Sequence, residues 1–208
     1  MNDPFAEKRL QMVEQQLRAR GIRDEAVLRA MGKVPRELFM EEDLRGSSYA
    51  DGPLPIGRGQ TISQPYIVAY MTERLELGGG ESVLEIGTGS GYQAAVLAET
   101  AARVCTVEVI PELAAGARAL LEGRLGYRNI FFKTGRGQEG WPEFAPFDRI
   151  LLTAAPVEFP EGLFAQLADG GIAIAPVGRG DQRLVCYRKR AGTIRSDDLI
   201  GVIFVPLV

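Results

Sequence analysis

Apolar residues recur along this chain with two alternating periods. Leu10, Val13 and Leu17 are three to four positions apart within residues 5–20, the spacing of one helical face, and Gly21 follows as a C-cap. Asp24 offers an N-cap to a second short helix with Val27, Leu28 and Met31 inward, which ends before Pro35. Residues 46–63 are rich in Gly, Pro and Ser and carry little periodicity; a long irregular segment in a compact chain is often functional. A helix returns from Gln64 to about Leu77, with Ile67, Met71 and Leu75 on one face. Short apolar runs then alternate with helical stretches: strand 82–87, helix 91–99, strand 103–108, helix 111–124, strand 129–133, a loop at 134–146, strand 147–153, a short helix near 160–168 and strand 171–177. Segments 183–189 and 200–207 read as a closing pair of strands. Such alternation predicts a parallel sheet covered on both faces, with the closing pair adding an antiparallel edge. The expected fold class is α/β: a doubly wound, mostly parallel sheet with an antiparallel terminal strand. Residues 1–77 form an N-terminal helical subdomain packed on residues 78–208 as one unit.

Composition narrows the chemistry. The chain has 208 residues, 46% apolar and 25% charged, as in a soluble globular protein. A net charge of −3 argues against a general nucleic-acid binder, although Arg183 to Arg190 is locally basic. Histidine is absent and cysteine occurs twice, which removes Ser-His and Cys-His nucleophile pairs and leaves no basis for a metal site. Cys105 and Cys186 lie in apolar runs and read as buried small apolar residues. No apolar run reaches membrane-spanning length and no signal-peptide core is present. The expectation is a reduced, cytoplasmic protein with no membrane or nucleic-acid partner.

The densest signal is Val83-Leu84-Glu85-Ile86-Gly87-Thr88-Gly89-Ser90-Gly91-Tyr92, an apolar strand ending in an acid and three alternating glycines. Glycines there permit positive φ and let a ligand approach the backbone, and the following helix offers free N–H groups. The dinucleotide fingerprint G-x-G-x-x-G is not met, because the third glycine comes one residue early and Tyr92 occupies the last position. Glu85-x-Gly87-x-Gly89-x-Gly91 instead resembles the first motif of S-adenosylmethionine-dependent methyltransferases. Glu108 ends the next predicted strand, about 20 residues past the glycines, where an acid can accept both hydrogens of a ribose diol; a solvated strand end is the alternative. Ligands of open α/β sheets sit outside the carboxyl ends of the strands, so segments 87–92, 108–110, 134–138 and 153–156 converge on one crevice.

Residues 53–66 place Ser63 or Gln64 at a helix N-cap with Pro65 in the first turn. A helix N-terminus flanked by the hydroxyls of Thr61 and Ser63 suits a carboxylate, and Ser63 as a plain cap is the alternative. The run PLPIGRGQTISQPYIVAYMTERLEL, together with the glycine turn, PFDRILLTAAP at 146–156, LADGGIAIAPVG at 167–178 and the terminal VIFVPLV, closely resembles the protein-L-isoaspartate O-methyltransferase family over nearly the whole chain. The resemblance implies a Rossmann-like methyltransferase sheet and S-adenosylmethionine as cofactor. It also implies methylation of the free α-carboxylate of L-isoaspartyl residues in damaged proteins and peptides, whose ester collapses to a succinimide that can hydrolyse to aspartate. Carried over by residue, Ser63 matches the active-site serine with Thr61 beside it. Gly87, Gly89 and Gly91 match the cofactor turn, and Glu108 the ribose acid, followed by Val109. Ile56 to Gln60 match a loop closing over cofactor and substrate, and Val205-Pro206-Leu207 the substrate-side wall. Gln60, Gln64, Arg136 and Gly137 are thereby expected on the cofactor side, and Ile56, Gly57, Val205 and Leu207 on the substrate side, in a monomer whose cleft is open to protein-sized substrates.

One position departs from the family pattern. Where the family carries Gly-Asp-Gly after the third strand, with the aspartate helping to hold adenine, this chain has Gly135-Arg136-Gly137. Arginine has donors and no acceptor, so weaker cofactor binding is expected. Arg136 supports one alternative, a weakened or inactive homologue that binds damaged or partner proteins; a second alternative is a methyltransferase of the same fold acting on another carboxylate or a small molecule.

Overall fold

The computed structural model describes residues 3–208. Helix α1 (Ala6–Gln11) runs on through a π-helical stretch to Leu17 and a tight turn to Arg20, where Gly21 adopts φ +96°. Asp24 accepts from the backbone N–H groups of Ala26 and Val27 and opens α2 (Glu25–Lys33). The segment expected to be irregular holds a small antiparallel hairpin, β1 (Leu54–Pro55) with β2 (Thr61–Ile62), and α3 (Pro65–Arg74) follows it with Pro65 in its first turn. Then come β3 (Ser82–Ile86), α4 (Tyr92–Ala98), β4 (Arg103–Glu108), α5 (Pro111–Arg118) with a π-helical extension to Arg124, and β5 (Ile130–Thr134). The chain closes with β6 (Phe147–Leu152), α6 (Glu161–Gln166), β7 (Leu167–Val177), β8 (Gln182–Arg190) and β9 (Thr193–Val202).

The main sheet has the order β5-β4-β3-β6-β7-β8-β9. Pairings from β5 through β7 are parallel, and β8 and β9 join antiparallel. Strand order reverses between β3 and β6, which puts the ligand-binding crevice outside their carboxyl ends. Successive residues of β3 face opposite sides and both sides are filled. Val83 packs in one core with Met31, Met71 and Leu97, whereas Leu84 and Ile86 pack with Ile150, Leu152 and Leu163. Met12, Leu17 and Leu28 from the N-terminal helices join the first of these cores. Cys105 and Cys186 are buried free thiols. Among the described residues no helix is long and apolar enough to cross a membrane, and no acid, cysteine or histidine cluster would hold a metal.

The last strand differs from expectation: it spans Thr193–Val202, not 200–207. Ala191 and Gly192 both adopt positive φ (+46° and +75°), forming the tight turn that suits the twist of a hairpin, so β9 starts directly after it. Arg195 to Asp198 are exposed, and no apolar alternation announces the strand. Residues 203–207 are apolar for another reason. Phe204 donates to and accepts from the Gln182 side chain (2.6 and 3.0 Å), and Val205 and Leu207 bond the Ala155 backbone, which carries the segment back over the carboxyl ends of the strands.

Candidate active site

At the end of β3 the chain turns into α4 through Gly87, Gly89 and Gly91, with φ of +98°, +52° and +88°. A Cβ on Gly87 would collide with Thr153 Oγ1, whose hydroxyl lies 2.5 Å from the carbonyl of Gly87 and 3.0 Å from that of Ile86. A Cβ on Gly137 would collide with Ile86. Both glycines let the backbone that lines the cleft pack closely on its neighbours. Gly91 acts elsewhere. Its missing Cβ would stand 2.7 Å from Leu121 Cδ1 and 3.2 Å from Ala117 Cβ, so it allows α4 to pack on α5 and its extension.

Two acids lie beneath this turn in different surroundings. Glu108, almost fully buried, accepts from the Gly89 N–H at 2.8 Å and the Ile110 N–H at 3.0 Å, which ties the end of β4 to the glycine turn. A carboxylate has about four lone-pair sites, so capacity remains for a diol. Glu85 is completely buried. Its Oε2 accepts from Thr106 Oγ1 at 2.5 Å, Thr106 in turn bonds Thr88 at 2.6 Å, and Oε1 has no partner. Burial pushes the Glu85 carboxyl up to about 8 against the opposing Thr106 hydrogen bond, with Glu108 adding to the rise.

The cleft opens to solvent between the glycine turn, residues 60–63 and residues 205–208. Of the residues expected from the sequence, Gln60, Thr61, Ser63, Gly87, Gly89, Glu108, Val109, Gly137, Val205 and Leu207 line it. Ile56, Gly57, Gln64, Gly91 and Arg136 do not. Ile56 lies behind the turn, 3.5 Å from where a Gly89 Cβ would stand, and Gly57 is at the hairpin tip. Gln64 Nε2 donates to Asp51 Oδ1 at 2.7 Å, and Arg20 also holds Asp51. Arg136 is exposed and its side chain makes no hydrogen bond among the described residues.

A second, wider cavity opens beyond Ser63. It runs between Pro53, Ile67, residues 180–183 and residues 201–205, and shares Thr61, Ser63, Thr153 and Val205 with the cleft. Ser63 stands at the junction. It is half-buried, its hydroxyl bonds nothing among the described residues, and Gln64, not Ser63, occupies the N-cap of α3. The Ser63 carbonyl accepts from Arg36 Nη2 at 2.8 Å. Sequence reasoning missed Arg36, because a lone arginine after a proline carries no pattern. It passed over Thr106 and Thr88 as ordinary strand and turn residues. Thr153 falls in the segment that the strand-end rule pointed to.

Comparison with known proteins sets these features in a family. The model of the protein-L-isoaspartate(D-aspartate) O-methyltransferase family matches residues 7–208. The protein-L-isoaspartate O-methyltransferase of Picosynechococcus sp. is 55% identical over 99% of this chain and 92% of its own length. That of Methanoculleus marisnigri is 54% identical over 99% and 94%. A solved protein-L-isoaspartate O-methyltransferase superposes with a TM-score of 0.87 at 30% identity, covering 97% of this chain, which spans 65% of the solved one. A Plasmodium falciparum structure assigned to the same family, in complex with S-adenosyl-L-homocysteine, gives 0.83 at 28% identity over 96% and 98%. The doubly wound sheet is thus that of a Rossmann-like methyltransferase, and the chain belongs to the protein-L-isoaspartate(D-aspartate) O-methyltransferase family.

Proposed function

We propose that the chain transfers a methyl group from S-adenosylmethionine to the free α-carboxylate of L-isoaspartyl residues in damaged proteins and peptides. Family membership supports the reaction. The observation that carries it is the position of Ser63, where the glycine-turn cleft and the wider cavity meet. The residues present fit the cofactor: glycines that no side chain can replace at 87 and 137, and a buried Glu108 at the strand end. Gly87, Gly89, Val109 and Gly137 would hold it, with Glu108 on the ribose diol. When bound it supplies an electrophilic methyl group on a sulfonium.

The protein's own part is alignment. An α-carboxylate with a pKa of about 3.3–3.7 is already ionised at neutral pH, so no general base is needed and a chain without histidine is not handicapped. Ser63 donates a hydrogen bond to one carboxylate oxygen and leaves the other free to attack, with Thr61 beside it. Val205 and Leu207 confine the acceptor, and the hairpin holding Gln60 shields the reacting atoms from water. Such positioning contributes up to roughly 7–11 kcal/mol in favourable cases. The wide cavity suits an extended peptide and a monomeric enzyme, and two free buried thiols suit the cytoplasm.

The test is transfer from labelled S-adenosylmethionine to a peptide pair differing only in aspartate against isoaspartate. Base-labile label on the isoaspartyl peptide alone is the expected result. Label on neither peptide, with the protein folded, would overturn the reading.

A further inference from the structure

Arg36 is a fully buried cation without an acidic partner. It has no exposed surface, and no carboxylate lies within 4.0 Å of its guanidinium among the described residues. The neighbouring Glu37 is engaged elsewhere, by Arg9 at 3.0 Å and the Tyr49 hydroxyl at 2.5 Å. Arg36 spends its donors on two main-chain carbonyls from separate segments: Nε on Ser48 at 2.8 Å and Nη2 on Ser63 at 2.8 Å. Its guanidinium carbon lies 4.8 Å from the centroid of the Tyr92 ring, the first residue of α4 after the glycine turn. Nη1 is buried and bonds nothing.

This arrangement is costly. Burial pushes the guanidinium below its ordinary value, yet arginine keeps its charge. A desolvated charge with no counter-ion opposes folding, and the carbonyl dipoles and ring face offset this only in part. A leucine or methionine would fill the same volume without that penalty. What an apolar side chain lacks is a rigid fork that grips two carbonyls while lying against a ring. The three groups gripped are the backbone of Ser63, the backbone before the hairpin and the ring behind the glycine turn, and both Ser63 and Tyr92 line the cleft.

We propose that Arg36 is a positioning residue for methyl transfer: its two-carbonyl grip fixes the main chain of Ser63 against Tyr92 and so sets the direction of the serine hydroxyl towards the acceptor carboxylate. The proposal rests on the methyl-transfer reading above. Because Arg36 acts through Ser63, its loss lowers turnover and leaves the glycine-turn half of the cleft intact.

The test is Arg36→Lys, which keeps a charge and loses the fork, with Glu37→Gln as a control that damages the adjoining buried network and has no contact with Ser63. Turnover of an isoaspartyl peptide and the Kd for S-adenosylhomocysteine are measured per folded molecule, below each variant's Tm. Arg36→Lys is expected to lower kcat tenfold or more with the Kd within twofold of wild type. Glu37→Gln is expected to lower Tm with kcat unchanged. In a Ser63→Ala background Arg36→Lys should add less than twofold, because the hydroxyl that it positions is gone. Unchanged kcat in Arg36→Lys, an equal fall in kcat for Glu37→Gln, or full additivity with Ser63→Ala would each overturn the proposal. Should Arg36→Lys not fold, Arg36→Gln, which drops the buried charge and retains one carbonyl contact, carries the same expectations. Wild-type turnover in the same assay separates failure of this proposal from failure of the methyl-transfer reading.

Discussion

At position 136 stands a guanidinium, where the resemblance to the family implies an adenine-binding aspartate, and its side chain is exposed. Arg136 is exposed and unbonded, while Gly137 beside it packs under the cleft floor. Only an acceptor is missing; nothing blocks the cleft. Arg136→Asp is therefore expected to tighten S-adenosylmethionine binding by about 1–3 kcal/mol, the cost of one unpaired polar group. Titration calorimetry on both proteins checks this, and equal affinities would show that the adenine is held another way. At Ser63 the prediction runs in the opposite direction. Its hydroxyl has no partner among the described residues and caps no helix there, so Ser63→Ala should leave Tm and cofactor affinity unchanged while lowering turnover of an isoaspartyl peptide at least tenfold, as loss of an orienting contact does. A parallel loss of cofactor binding would make Ser63 a structural residue.

Among the elements, the glycine turn has two functions that one motif conceals. Gly87 and Gly89 face the cleft, whereas Gly91 lets α4 pack on α5 and its extension, at φ +88° and with Leu121 and Ala117 close behind it. Gly91→Ala is expected to cost about 1–3 kcal/mol of stability, a fall of roughly 2–12 °C in Tm for a chain of this size. Affinity for S-adenosylhomocysteine per folded molecule should not change, and differential scanning calorimetry with a binding titration separates the two readings. The motif was legible because spacing and residue type are both local; the division of labour was not, because Leu121 is thirty residues away. The same distinction explains the hairpin β1–β2. Its strands are two residues each, too short for a period, and its tip needs positive φ at Gly57, Arg58 and Gly59, one of them non-glycine. The central parallel strands β3, β4, β6 and β7 were legible because each carries an apolar run buried on both faces, and the edge strand β5 because Ile130, Phe131 and Phe132 still form a short apolar run. Strand β9 was not, because it is exposed and follows a turn that only conformation reveals.

For the whole molecule, the site is a seam between the N-terminal helices with their hairpin and the carboxyl edge of the sheet, and the most deeply buried acid lies at that seam. Burial pushes the Glu85 carboxyl up to about 8, against 4.5 for a free side chain, which favours its neutral form. Between those two pH values the folded protein binds a proton that the unfolded chain has released. The stability that this proton confers is complete below about pH 4.5 and is lost as pH rises through about 8. In the absence of ligand, the wild type should therefore lose stability between pH 6 and pH 8, by a few kcal/mol, and level off above. Glu85→Gln cannot titrate and should show a flatter dependence, whatever its absolute stability. Urea unfolding at several pH values in that interval compares the two slopes, and the other titrating groups, common to both proteins, cancel in the difference. A steeper wild-type slope would place a neutral carboxylic acid beneath the glycine turn at physiological pH, sharing its proton with the Thr106–Thr88 pair. Parallel slopes would mean that Glu85 is already ionised at pH 6, and that the Thr106 hydrogen bond supports a buried negative charge directly below the turn.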